Sequence, residues 1–160
     1  YAKKGRYIFP NVIAAMEKRL KSLSSLHWVD KMTFLIGKQE KSGHFRWHDS
    51  SDIQGVWHLE KIAEVARRLP NIKFWLPTRE YGFVREWMQF GKVPENLTIR
   101  LSAYMVDGKP PISLAKKLGL TTSGVTPKGF NCPASKQGNE CGKCRACWDN
   151  TVENINYKKH

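Results

Sequence analysis

The sequence predicts an α/β fold, either a partial (β/α) barrel or an open, mostly parallel sheet, with a cysteine-rich loop near the C-terminus. Three observations carry this. Segments of helical period alternate with short β-rich runs. The strand-like runs begin at 44, 72 and 97, separated by 28 and 25 residues, which is the spacing of successive βαβ units. All four cysteines, Cys132, Cys141, Cys144 and Cys147, fall in the single stretch "NCPASKQGNECGKCRACW".

Element by element, "PNVIAAMEKRLKSL" (10–23) reads as a helix opened by Pro10, with Val12, Ile13, Met16, Leu20 and Leu23 on one face. "HWVDKMTFLIGK" (27–38) repeats the pattern through Trp28, Val29, Met32, Leu35 and Ile36. "HFRWH" (44–48) is a short aromatic strand that stops in "DSSD". A helix over 56–69 then presents Leu59, Ile62, Ala63, Ala66 and Leu69, and "IKFWLP" (72–77) is the next strand. The helix over 79–91 faces inward through Phe83, Val84, Trp87 and Met88, with Gly91 as its expected C-cap. "LTIRLSAYMV" (97–106) follows as a strand, 112–120 as a short helix or turn, 121–125 as a strand end and 151–160 as a terminal strand. One domain over 1–160 is expected, with 130–148 as a metal-binding insertion at one end of the sheet. Trp28, Trp47, Trp57, Trp75, Trp87 and Trp148 sit at core-like periods and read as core.

The chain carries 27 Lys and Arg against 14 Asp and Glu, a net charge of +13. That excess favours phosphate-bearing partners, nucleic acid or nucleotide, although a solubilising surface gives the same balance. No apolar run reaches the ~18 residues of a membrane span, and no signal-peptide pattern is present, so no membrane partner and a cytoplasmic location are expected. A chain beginning "YAKKGRY" without methionine is expected to be a fragment of a longer protein.

The cysteine spacing is C-x8-C-x2-C-x2-C. Three thiols at intervals of three crowd one another, and a chain of this size needs no staples, so disulfides are the poorest reading. A metal is the better one. Lys136, Lys143 and Arg145 offset thiolate charge, Gly138 and Gly142 let the backbone curl, and Phe130 and Trp148 shield the centre. An iron–sulfur cluster ranks ahead of structural zinc, because zinc ribbons bring paired knuckles from separate places whereas this run brings three ligands from one turn.

Parallel α/β folds bind ligands at the carboxyl ends of their strands. The candidates there are His48, Asp49 and Asp52 after the first strand, Arg79 after the second, and Ser102, Tyr104 and Asp107 after the third. His48, Asp49 and Asp52 suit cation binding, amine recognition or proton transfer, and Arg79 suits a carboxylate or phosphate. The plainer alternatives are that Asp52 or Ser51 caps the next helix, Asp49 closes a turn, and Thr78 caps the 79–90 helix. His27 and His58 read as packing or surface residues.

Five stretches, "YAKKGRY", "FRWHDSSDIQ", "IKFWLPTREY", "LTIRLSA" and "CPASKQGNECGKCRACW", together resemble the phage- and plasmid-borne gene product eighty-eight family, which is similar in outline to radical-SAM-like proteins. The resemblance implies that Tyr1 and Ala2 follow directly on a missing cysteine motif. That motif would hold a catalytic [4Fe–4S] cluster and S-adenosylmethionine. It also implies that Ser51 stands where such relatives carry glycine, and that the four cysteines here form an auxiliary iron–sulfur site. An intact protein would then be an enzyme and the fragment alone inactive. The alternative is a non-catalytic, zinc-stabilised basic protein that binds nucleic acid or a host protein.

Overall fold

The structure, a computed structural model, describes residues 5–48 and 51–159. Tyr1, Ala2 and Asp49 lie outside the described residues. Five strands form one sheet in the order β1 (His44–Arg46), β2 (Lys73–Thr78), β3 (Leu97–Ser102), β4 (Thr121–Thr126) and β5 (Asn154–Lys158), and every pair is parallel. Sequential order with parallel pairing curls the sheet into a half-barrel, the geometry expected of consecutive βα units.

The helices are α1 (Pro10–Ser22), α2 (Trp28–Gln39), α3 (Val56–Arg68), α4 (Tyr81–Trp87) and α5 (Ile112–Leu118). Strand alternation explains the core. Phe74 and Leu76 of β2 and Leu97, Ile99 and Leu101 of β3 point to the helix side, where they pack with Leu59, Ile62, Ala63, Val84 and Trp87. The intervening residues Trp75, Thr98 and Arg100 point to the inner face, so both faces of β3 are buried.

Several sequence expectations shift. The first strand is only three residues long, and α4 starts at Tyr81 and ends at Trp87, inside the expected 79–91. Gly91 does not cap α4 at its left-handed position. Its N–H bonds Trp87 O at 2.7 Å, and any Cβ at 91 would collide with the Trp87 indole, so glycine is needed there for close approach. The apolar stripe of α1 is not core, since none of its residues is buried. Leu23 just beyond it is buried, and Lys61 Nζ donates to Leu23 O at 2.6 Å, fastening that end to α3. Trp57 departs from the core reading and is 49% exposed, while Trp28, Trp47, Trp75 and Trp87 are buried.

The cysteine segment lies between β4 and β5 in the chain. It replaces the crossover helix between β4 and β5 and wraps the sheet edge. The backbone N–H groups of Asn131 and Cys132 donate to Asn156 O, and Asn131 Oδ1 accepts from Asn156 N at 2.8 Å, which seals the open edge of β5. The segment then reaches across the inner face, where its short 3-10 turn Ala146–Trp148 packs on β2 and β3.

Candidate ligand rim and cysteine face

Two polar regions belong to the half-barrel, one at the carboxyl ends of the strands and one on the inner face. At the rim, Asp52 is the organiser. Its Oδ1 accepts from Thr78 Oγ1 at 2.6 Å and from Ile53 N at 2.8 Å, and its Oδ2 accepts from Arg79 N at 2.8 Å. The carboxylate therefore ties the loop after β1 to the loop after β2. It does not cap α3, whose N-cap is Gly55 without a side-chain bond. Thr78 is not the N-cap of α4 either; that position is Glu80, although Thr78 Oγ1 accepts from Glu80 N at 3.0 Å. With both oxygens engaged, Asp52 positions Arg79, whose side chain is exposed.

Replacing Asp52 with Ala should destabilise the chain by about 2–4 kcal/mol, since it strands the buried Thr78 hydroxyl and frees two backbone donors. Chemical denaturation checks this; a loss under about 0.5 kcal/mol would show the carboxylate to be free for a ligand.

His48, two residues past the end of β1, has φ of 54°, a left-handed conformation that is strained for a residue with a Cβ. Among the described residues its buried Nδ1 has no hydrogen-bond partner. Burial chiefly holds its pKa below the usual histidine value, with the Asp52 charge opposing. Its ring lies 5.6 Å from that of His58, centroid to centroid. His58 Nδ1 accepts from Gln54 N at 3.2 Å, which assigns the proton of the neutral ring to Nε2. Burial, then His48 and Lys61, push the His58 pKa down to about 4. His58 is thus a packing residue, as its sequence position suggests, in an edge contact with Trp28 at 5.6 Å.

Farther along the rim, the Tyr81 hydroxyl donates to Ser102 O, and its ring meets that of Tyr104 at a tilt of 48°, centroids 4.6 Å apart. Burial foremost, then Tyr104, raise the Tyr81 pKa to about 12 while the Arg79 charge opposes them. Ser102 Oγ and Ser123 Oγ lie 3.0 Å apart. Polar groups from four consecutive strands thus share one rim. Asp107 stands apart from this row, its N–H bonded to Val125 O at 2.8 Å. A cavity of about 240 Å³ opens at the opposite end of the sheet, among His44, Lys73, Glu95, Arg145 and Trp148, and so is no part of the rim.

On the inner face, Arg100 is fully buried in the middle of β3. Its guanidinium donates to Cys147 O (3.1 Å), Thr122 O (3.3 Å), Val152 O (2.9 Å), Ala146 O (2.7 Å) and Asp149 O (2.7 Å). One side chain thereby holds the backbone on both sides of Cys147. Thr98 Oγ1 donates to Trp148 O at 2.9 Å, and Trp148 Nε1 donates to Phe45 O at 2.9 Å, so the tie extends to β1. Among the described residues no carboxylate pairs with Arg100; Asp149 offers its backbone oxygen, its carboxylate being bonded to Thr151.

Cys147 is buried, Cys132 and Cys144 are half-buried and Cys141 is exposed, all as free thiols. Cys147 and Cys132 pack in one cluster with Trp75 and Ile155. Burial raises the Cys147 pKa, with Tyr157 and Arg100 opposing it and Cys132 and Cys141 adding to it. Four thiols in one segment suit iron or zinc by donor chemistry. Among the described residues no group of three or more His, Cys, Asp or Glu is gathered to hold a metal ion, so Cys141 and Cys144 would have to close onto Cys132 and Cys147. Arg100 and Tyr157 escape a reading of sequence by motif. The one available signal was an arginine amid the apolar residues of "LTIRLS".

Fold and site together define a half-barrel α/β protein with a cysteine segment bound across its inner face. The chain belongs to the gene product 88 family, whose model matches residues 1–150. No curated protein and no solved structure matches it. Among the described residues no helix is long and apolar enough to cross a membrane.

Proposed function

We propose that Cys132, Cys141, Cys144 and Cys147 hold an iron–sulfur cluster on the inner face of a radical-SAM-like half-barrel, whose rim takes a nucleotide or nucleic-acid substrate. The observation that carries this is Arg100. Among the described residues this fully buried guanidinium has its hydrogen bonds met by carbonyls and forms no ion pair, the Asp149 carboxylate acting on it only at longer range, and burying such a charge is costly. A set of metal-bound thiolates would be net anionic, in the segment that Arg100 holds, and would lower that cost.

A thiolate-ligated cluster supplies one-electron transfer when bound. The chain's own residues do the rest. Arg100 and Thr98 fix the Cys147 backbone, and Gly138 and Gly142, at φ of 68° and 51°, occupy left-handed positions around which the loop closes. At the rim, Arg79, held by Asp52, offers a guanidinium to phosphate. Unpaired thiols fit a reducing cytoplasm, the host's if the gene is borne by a phage.

Protein purified without oxygen should contain iron and acid-labile sulfide in equal amounts and be brown, and Cys147→Ala should lose both. Colourless protein with one zinc per chain would contradict the iron reading. It would favour instead a zinc-stabilised basic protein that binds nucleic acid or a host protein without catalysis.

A further inference from the structure

Charge is segregated in this chain. Among the described residues every ion pair lies on or beside α2 and α3, where Asp30, Glu60 and Glu64 meet His27, Arg67 and Arg68. The β4 and β5 side is the reverse. Residues 108–139 hold five lysines and no Asp or Glu, and residues 154–159 add Lys158 and Lys159, again without an acid.

The sheet gathers four of these lysines at one place. Thr126, at the end of β4, pairs with Lys158 of β5. The Lys159 N–H donates to Thr126 O at 3.0 Å, and the Lys128 N–H to Thr126 Oγ1 at 3.3 Å. Lys136 arrives from the cysteine segment: its Nζ lies 5.9 Å from the centre of the Phe130 ring, over which Lys158 Nζ also sits, at 5.6 Å. All four lysines are exposed, and among the described residues none forms an ion pair. A ring contact at an exposed site offsets only part of the repulsion between like charges held this close. A surface that merely keeps a chain in solution mixes both signs. Unpaired cations gathered at one edge instead raise the local potential, which a polyanion relieves as its condensed counterions are released.

Beside the lysines the edge is aromatic. The loop after β3 is tied to β4 at both ends, the Ala103 N–H donating to Ser123 O and the Asp107 N–H to Val125 O, each at 2.8 Å. Within it Tyr104 is 59% exposed and Met105 72%. Val125 directly precedes Thr126, and neighbouring strands lie ~4.8 Å apart, so this loop adjoins the lysine edge. Asp107 is the one acid in the loop, against four lysines. Unpaired bases stack on such a ring, whereas a duplex keeps their faces covered.

We propose that this edge docks a single-stranded nucleic acid, with Lys128, Lys136, Lys158 and Lys159 on its phosphates and Tyr104 against an unpaired base. The inference rests on the nucleic-acid part of the proposed function and gives it a surface and a strand form; no metal enters it. From Tyr104 the strand passes to Tyr81, whose ring Tyr104 touches, and so onto the rim that carries Arg79.

The test is fluorescence anisotropy of the purified chain with a labelled oligothymidylate of about 20 nucleotides, titrated at several salt concentrations. The triple variant Lys128→Gln, Lys158→Gln, Lys159→Gln should bind about tenfold more weakly, and its salt slope should fall by about 0.7 per lysine removed. Lys136 is left in place because its segment carries the cysteines. The variant Lys18→Gln, Lys21→Gln, Lys31→Gln removes the same charge from α1 and α2 and should bind as the unmodified chain does. Tyr104→Leu, with every lysine retained, should weaken binding about fivefold. Equal loss in the two triple variants, or none in the first, overturns this inference and leaves a nucleic-acid substrate standing. Unchanged binding by Tyr104→Leu, or equal affinity for a duplex of the same length or for polyglutamate, also overturns it. If the unmodified chain binds no oligonucleotide, both the inference and the nucleic-acid reading fall.

Discussion

Arg100→Met should lower the stability of the chain by about 3–5 kcal/mol and release the cysteine segment from the inner face. The five carbonyls that share the guanidinium come from β4, the Ala146–Trp148 turn and the residues leading into β5, and no other donor reaches all of them. Methionine fills much of the volume but offers no hydrogen. Each buried carbonyl left unpaired costs about 1–3 kcal/mol, and the total is limited because the segment can lift away and hydrate. The expected result is a lower melting temperature together with rapid alkylation of Cys147, which is 7% exposed in the intact fold. Unaltered melting with Cys147 still protected would show that the segment is held without Arg100, by the Thr98 and Trp148 hydrogen bonds and its apolar contacts with Trp75 and Ile155.

The second large effect is one of pH. The folded His58 has a pKa of about 4 against the ordinary histidine value of 6.5, because burial, His48 and Lys61 all disfavour its charged form. A depressed value means that the unfolded chain binds the proton first. The contribution to stability is therefore complete above pH 6.5 and is lost as pH falls from 6.5 towards 4. At 1.36 kcal/mol per unit, the loss from this residue is ~3 kcal/mol, and His48, displaced in the same direction, adds to it. Unfolding by denaturant at pH 7 and pH 4.5 measures the slope. His58→Gln, which can still accept from Gln54 N, should flatten it in proportion; an equally steep slope in that variant would assign the acid sensitivity elsewhere.

The parallel sheet was legible because its signals are local. Strand runs, intervening amphipathic helices and strand spacing survive in the chain as periodicity, and the first three strands lie where that periodicity puts them, while β4 and β5 fall at the strand end and terminal strand read from the less regular remainder. The half-barrel follows from consecutive strands pairing side by side, which spacing alone does not separate from an open sheet. The exposed stripe of α1 shows the limit of periodicity: it marks an apolar face without saying whether anything covers it.

The candidate site was readable in its cysteines and less so in what holds them. Cys147 and the Arg100 that anchors its carbonyl are 47 positions apart, and Tyr157 meets Cys147 only because β5 runs under the same turn. Those are tertiary facts with no motif. At the rim, Asp52 was visible as a polar residue at a strand end, but its choice of Thr78 and Arg79 N over the α3 terminus depends on how close the second loop comes. The sequence pattern marked the carboxylate but not the Thr78 and Arg79 groups it bonds.

The measurement that bears most directly on the account is X-ray absorption at the iron edge on the anaerobically prepared full chain. An iron–sulfur centre on Cys132, Cys141, Cys144 and Cys147 predicts a first shell made wholly of sulfur, with iron neighbours beyond it, lost in Cys147→Ala. Iron with a nitrogen or oxygen shell, or no iron at all, would contradict it.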